Sequence, residues 1–391
     1  MDATDARAAA GETPRGGSSW ELGGIVGRGP THDPLAGLRT ADDPRFDVFL
    51  SGMVFLDIIF TGLSSGPALG TEIHTEGMGC SPGGVANLAT AMSRLGLRTS
   101  LAAAFGADVY GEFCWHTLAG QENVDLSSSR RFPHWHSPVT VSLAYDGDRG
   151  MVTHAHEPPI CTDEMIGEAP STRACFVDLT EDTGSDHWSA KARSQGALIF
   201  ADVGWDETEQ WSPAVLEKVS SCHAFLPNQV EAMAYTRTDT PEAALRRLAE
   251  LVPLVVVTRG SDGSIAIDSE TGEEAAAPAL PVEALDATGA GDVFAAGFMT
   301  ATLARWPLLD RLRFANLCAA LSVQHFGGSL SAPGWADIAA WWQVAKRVPG
   351  LGHIAREYAF LSDVVPDTPV GAVRRATATI GFETDGVLSD D

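Results

Sequence analysis

From Phe46 to about Val348, short apolar runs rich in β-branched residues alternate with stretches of helical spacing. Such a chain can bury its strands only by packing the intervening helices on a sheet, which makes the fold α/β. The run FDVFLSGMVFLDIIF opens this region, and Thr99–Ala104, Ala197–Asp202, Ala224–Leu226 and Leu254–Thr258 read as buried parallel strands bounded by turn or cap residues. Helical spacing falls on Val85–Leu95, Ala290–Leu303 and Leu308–Phe326. Two stretches break the rhythm, Gly62–Cys80 and Pro138–His156, the latter carrying TVSLAYDGDRGMVTHAH. Their polar-apolar alternation between Gly and Asp turns predicts a small antiparallel sheet projecting from the body.

The two ends read differently. Residues 1–45 are rich in Gly, Ala, Thr, Asp and Pro without sustained periodicity, the signature of a disordered leader. Residues 349–391 read as a partly disordered C-terminal extension, acidic and Thr-rich toward its end, with a brief helical pattern at Ile354–Leu361. Fifty-one acidic against twenty-six basic residues give a net charge of −25, a field that repels phosphate backbones and argues against a nucleic-acid partner. The longest apolar stretches, such as Leu251–Val257 and Met53–Phe60, fall short of the roughly 20 residues a membrane helix needs. With no secretory-type apolar run in the first thirty residues either, the expectation is a cytoplasmic protein. Six scattered cysteines without metal-like spacing read as reduced, mostly buried thiols.

Two glycine-rich segments carry chemistry. In Asp286-Ala287-Thr288-Gly289-Ala290-Gly291-Asp292 a glycine turn runs into the apolar helix VFAAGFMTATLA. Glycines at a helix start allow close backbone approach, and the unpaired amides there attract anions. Asp292 stands in the first helical turn, placed to take a proton from a hydroxyl. An ordinary turn capped by Asp is the structural alternative. The second segment, Gly83-Gly84-Val85-Ala86-Asn87, also leads into a helix. Bare glycines and the donor and acceptor of Asn87 suit a polyhydroxylated ligand, although close helix packing explains glycines equally well.

In this order, the two segments resemble the ribokinase-like, PfkB-type family of carbohydrate kinases. The first family signature is matched by GGVANLATAMSRLGLRTSLAAAFGADVYGE and the second by DATGAGDVFAAGF. Between them, Asn228-Gln229-Val230-Glu231 resembles the N-x-x-E element, and VVVTRGSDGSIAI the strand-turn-strand beside the nucleotide. The resemblance covers roughly Phe46–Val348. It implies a three-layer α/β/α domain with a mostly parallel sheet and a small β lid, phosphorylating a hydroxyl of a sugar or sugar-like substrate with ATP and Mg²⁺. By position, Asp292 would be the general base and the amides of Gly289, Ala290, Gly291 and Asp292 the anion hole. Asp57, Gly83, Gly84 and Asn87 would form the substrate floor. Asn228, Thr258, Gly260, Gly263 and Asn316 would line the nucleotide, and Glu231 would hold Mg²⁺ through water. Asp286 and the Thr288 carbonyl are candidate ligands for a monovalent cation such as K⁺, although a simple turn explains them too. A homodimer through the lid is a further expectation.

Departures narrow the reading. The GGKGAN form common in ribokinases is GGVAN here, and the D-x-N-x-R form of many fructo- and gluconate-type kinases reads Asp202-Val203-Gly204-Trp205-Asp206. Neither sugar is therefore singled out, and a nucleoside substrate stays open. Asp202 and Trp205 are candidates for shaping the sugar pocket, and Arg259 for adding positive potential toward the nucleotide. His134, His136, His154 and His156 alternate in HWH and HAH so that each pair shares a strand face. With no Cys or carboxylate spacing to close a metal site, they read as substrate contacts or lid pairing. A non-catalytic sugar sensor is the reading from another class, and it sits poorly with an intact base, cradle and metal element.

Overall fold

The computed structural model describes residues 32–145, 148–180, 187–204, 206, 208–366 and 370–378. In chain order the strands begin with β1 (Phe46–Ser51), β2 (Val54–Thr61), β3 (Gly77–Gly84), β4 (Thr99–Ala102), β5 (Ala104–Gly106), β6 (Arg130–Phe132) and β7 (Val139–Tyr145). They continue with β8 (Asp148–His154), β9 (Thr172–Asp178), β10 (Leu198–Asp202), β11 (Ala224–Phe225), β12 (Leu254–Thr258), β13 (Ser264–Asp268) and β14 (Glu273–Ala277). The central sheet has the order β14-β13-β12-β11-β10-β9-β1-β4. It is parallel from β4 to β12, and β13 and β14 add antiparallel strands at one edge.

Period-two alternation divides each inner strand between two cores. Val48 and Leu50 of β1 join Phe176, Phe200 and Val256 on one face, while Phe49 joins Cys175, Ile199, Phe225 and Val255 on the other. The first face is covered by α1 (Val85–Arg94), the short α2 (Val109–Trp115) and long helices from later in the chain. The second is covered by α3 (Thr162–Ile166), α4 (His187–Ser194), α5 (Pro213–Val219), α6 (Gln229–Thr236) and α7 (Pro241–Ala249). The later helices are α8 (Ala290–Leu303), α9 (Leu308–Ser322), α10 (Trp335–Arg347), α11 (Gly352–Glu357) and α12 (Leu361–Val364). Every residue of α8 from Val293 to Thr302 is buried, as a helix apolar all round requires. The α/β/α layering is as the sequence predicts.

The second sheet, β3-β2-β7-β8, corresponds to the expected lid but is mixed, antiparallel at β2-β3 and β7-β8 and parallel where β2 meets β7. It begins earlier than expected. The chain breaks at Gly52-Met53, so Val54–Thr61 leaves the central sheet and forms the lid's inner strand, while residues 62–76 only connect it to β3. Gly83 and Gly84 thus end a strand. Gly84 has φ 63°, and a Cβ there would collide with the Met53 carbonyl.

Both ends are also more ordered than composition suggested. Residues 1–31 lie outside the described residues, but the supposed leader is already folded by residue 32. Leu35 is buried, and the Arg39 guanidinium donates to both oxygens of Asp47 at 3.0 Å. Asp47 is fully buried in β1 and also accepts from Arg98 and Arg173. In the supposed extension, Ile354, Tyr358 and Leu361 join the main core. Beyond them Arg375 donates to the carbonyls of Ser331 and Ala332, and the Cys80 amide of β3 donates to the Thr377 carbonyl at 2.8 Å. The brief helical pattern read at Ile354–Leu361 carries these three residues, and the structure forms the short α11 and α12 there. Among the described residues no helix is long and apolar enough to cross a membrane. The cysteines are free, and all but Cys161 are buried.

Candidate active site

The carboxyl ends of the parallel strands converge with the N-termini of α1 and α8, where ligands bind open α/β sheets. The turn into α8 is organised by Asp286. Its Oδ1 accepts from the Thr288 amide at 2.9 Å and hydroxyl at 2.7 Å, and its Oδ2 accepts from the Gly327 amide at 2.9 Å. The Thr288 carbonyl accepts from the Gly328 amide at 3.2 Å. Turn geometry therefore accounts for both residues considered as monovalent-cation ligands. Gly289 is left-handed, with φ 75°, and swings the chain into the helix. Ala290 donates to the Ala287 carbonyl at 3.2 Å, so its amide closes the turn. The amides of Gly291 and Asp292 have no helical carbonyl preceding them, and a Cβ at Gly291 would meet nothing within 4 Å. The amide row opens onto free space.

Asp292 faces the start of α1. The Asn87 amide, one turn into α1, donates to Asp292 Oδ2 at 2.9 Å. Burial pushes the Asp292 carboxyl up to about 6, against the Asn87 hydrogen bond and the charge of Arg149. Asn87 is itself buried, and its Oδ1 has no hydrogen-bond partner among the described residues. Asp57 of β2 lies on the same floor. Burial, then the fields of Asp286 and Asp292, push it up to about 7, while Arg149 from the lid opposes the rise. A Cβ at Gly83 would overlap the Asp57 carboxylate, so only glycine leaves that carboxylate in place. Gly83 packs against Asp57, Gly289 against Asn87, and Asn87 bonds Asp292, so the two glycine segments form one contiguous group. Beside it, a cavity of about 220 Å³ runs under the lid between Tyr145, Arg149 and Ala284–Ala287.

A second acidic group lies further along the sheet edge. Asp178 and Asp202 end neighbouring parallel strands in direct register. Burial raises Asp202 well above the usual carboxylate range, with Glu231, Asp178 and Asp292 adding to the rise. Asp178 is reached by solvent, yet desolvation in this recess pushes its carboxyl up to about 6. Glu231 is buried and raised by desolvation, and its Oε2 accepts from the Asn228 amide at 2.9 Å. Asn228 Oδ1 reciprocates, accepting from Val230 and Glu231 amides at 2.9 and 3.0 Å. The pair forms a capping box that fixes α6 against the acids. Local capping thus occupies the Asn228 side-chain oxygen expected to line the nucleotide.

Thr258, Gly260, Gly263, Gly291 and Asn316 do line one cavity, of about 330 Å³, whose walls include Leu280, Val282, Phe294 and Val323. Asn316 contributes its position more than its polar atoms, since Nδ2 donates to the Ala277 and Pro278 carbonyls and Oδ1 accepts from Ser264. Arg259 pairs with Glu242 at 3.3 Å. Trp205 lies outside the described residues. Sequence reading missed Asp178 and Arg149. Asp178 ends CFVD as Asp202 ends IFAD, a repeated strand-plus-acid signal; Arg149 carried none.

A cavity with apolar walls and the buried Asp292 carboxylate thus lie at the same helix start. The chain matches the pfkB family of carbohydrate kinases over residues 174–335. It is 30% identical over 257 residues to a nucleoside kinase of Methanothermobacter thermautotrophicus, covering 64% of this chain and 81% of that one. Its fold matches Arabidopsis thaliana ribokinase complexed with ribose and ATP, with a TM-score of 0.62, 22% identity and coverage of 76% and 98% of the two chains. An E. coli ribokinase II in complex with ATP and Mg²⁺ superposes with a TM-score of 0.64, 20% identity and coverage of 76% and 99%. The chain belongs to the PfkB family, with the ribokinase fold.

Proposed function

We propose that the protein transfers the terminal phosphoryl group of ATP to a hydroxyl of a sugar or nucleoside. The observation that carries this reading is the position of Asp292. Its carboxylate is bound to the substrate-side Asn87, and its own helix start opens toward the nucleotide-sized cavity. Asp292 takes the proton from the attacking hydroxyl as the O–P bond forms, and the amides of Gly291 and Asp292 face the charge that develops on the transferring group.

The residues present fit both expected ligands. The apolar walls at Leu280, Val282 and Phe294 suit a flat base, and Asn87 Oδ1, buried without a partner, suits a hydroxyl donor. Asp178 and Glu231 lie near enough to Asp202 for their fields to add to its rise, and these residues would hold Mg²⁺ through water. When bound, the cation neutralises phosphate charge. Asp57 accepts from a substrate hydroxyl, with Gly83 keeping the floor clear. The lid strands exclude water from the transfer, which limits wasteful hydrolysis.

A nucleoside acceptor is the second reading, favoured by the 30% identity to a nucleoside kinase. ATP turnover is measured against a panel of sugars and nucleosides with Mg²⁺ present. A substrate-dependent rate at least tenfold above ATP hydrolysis supports a kinase and separates the two readings. No acceptor raising turnover, with ATP binding intact, sinks both.

A further inference from the structure

Three of the four lid histidines meet at one point. The ligand-capable ring nitrogens of His136, His154 and His156 all lie within 4.8 Å of one another, and all three side chains are exposed. The His136 and His154 rings stack with centroids 5.0 Å apart and planes at 11°, and His156 stands edge-on to both at 4.8 and 5.0 Å. His134 does not join this group.

The frame holding them is fixed. His154 is opposite Val139 in the antiparallel β7-β8 ladder, three residues after His136. Between His134 and His136, Trp135 turns inward, and its indole N–H donates to the Glu157 carbonyl at 3.0 Å. That bond ties the chain entering β7 to the residue following His156. The sequence pattern suggested two separate pairs; ladder and indole together cross them into one triad.

We propose that His136, His154 and His156 form a binding site for a divalent transition metal. Imidazole nitrogens suit Zn²⁺, Co²⁺, Ni²⁺ or Cu²⁺ and leave Mg²⁺ to the carboxylates. Bonds of about 2.0–2.1 Å place tetrahedral nitrogens roughly 3.4 Å apart, a contraction that exposed rings on a fixed frame reach by rotation. The fourth position is left to water, as in sites with three protein ligands. The site is at the root of the β7-β8 hairpin. Arg149 stands five residues away from His154 along β8, about 17 Å at strand rise. The metal therefore staples the lid's entry to its exit without touching the reacting groups.

Tag-free full-length protein, stripped with chelator, is titrated with Co²⁺ and then Zn²⁺, with excess Mg²⁺ present. A visible Co²⁺ absorption band of tetrahedral intensity that saturates at one equivalent and is displaced by Zn²⁺ supports the site. His154→Asn and, separately, His136→Asn should each weaken Zn²⁺ at least about tenfold while leaving the metal-free Tm unchanged, both side chains being exposed. Absence of a saturable band, or a band untouched by either substitution, overturns the proposal and leaves the rings as a stacked surface cluster.

Discussion

Asn87 and Asp292 are 205 residues apart in sequence and joined by a hydrogen bond of 2.9 Å between the first turns of α1 and α8. One side chain orients the other. Asp292→Asn keeps the shape and removes the base, so kcat should fall about 10²–10⁴-fold while ATP affinity changes little. Steady-state kinetics with calorimetric ATP titration checks this. Turnover above a third of wild type would remove Asp292 from the role of base.

The same carboxyl sets a pH dependence. A base works when deprotonated, and burial holds Asp292 up to about 6, so kcat/KM should climb as pH rises toward 6 and level off above it. Arg149 favours the ionised forms of both Asp57 and Asp292. Arg149→Gln should move the acidic limb to higher pH. A limb that stays in place in this variant excludes Arg149 from tuning the site.

Stability should run the opposite way. Asp57, Asp178 and Asp292 titrate at about 7, 6 and 6 in the folded protein, above the usual carboxylate value, so the native state binds more protons than the unfolded one between about pH 4 and 7. Their contribution to stability is present below that window and is lost as pH rises through it. Asp57→Asn removes one buried charge and should raise Tm at pH 7.5 by at least about 2 °C, with little change at pH 4. Thermal melts at the two pH values read the difference, and an equal shift at both contradicts it.

The acidic edge gives a metal prediction. Asp178→Asn and Glu231→Gln should each raise the Mg²⁺ concentration for half-maximal rate severalfold. In Glu231→Gln the side-chain amide oxygen can still accept from the Asn228 amide, so α6 stays capped. Mg²⁺ titrations that superimpose on wild type argue that the acids serve another purpose.

Much of this architecture is local in origin. Strands such as Leu254–Thr258 and the glycine turn before α8 declare themselves through composition and spacing, and so their place at one sheet edge followed from α/β topology. Asp178 and Arg149 were hidden because their significance comes from register: β9 beside β10, and β8 joined through β7 to β2. The lid's first strand was missed for a related reason. Nothing in FDVFLSGMVFLDIIF marks a change of sheet except Gly52, where a Cβ would press on Val85 at 3.1 Å. The bonds of Asn316 to the Ala277 and Pro278 carbonyls depend on the packed fold, whereas Asn228 is engaged by its own helix start in a local cap.

The contact between Thr377 and Cys80 has a consequence for how the chain comes into being. Arg94 lies buried in α1 and donates to Glu122 and to the carbonyls of Leu330, Ala332 and Arg374. On the ribosome, synthesis at about 5–20 residues per second delivers the helix and its acidic partner long before those last acceptors. The β3–α1 segment thus waits, with a charged group short of partners, until residues 374–377 have emerged.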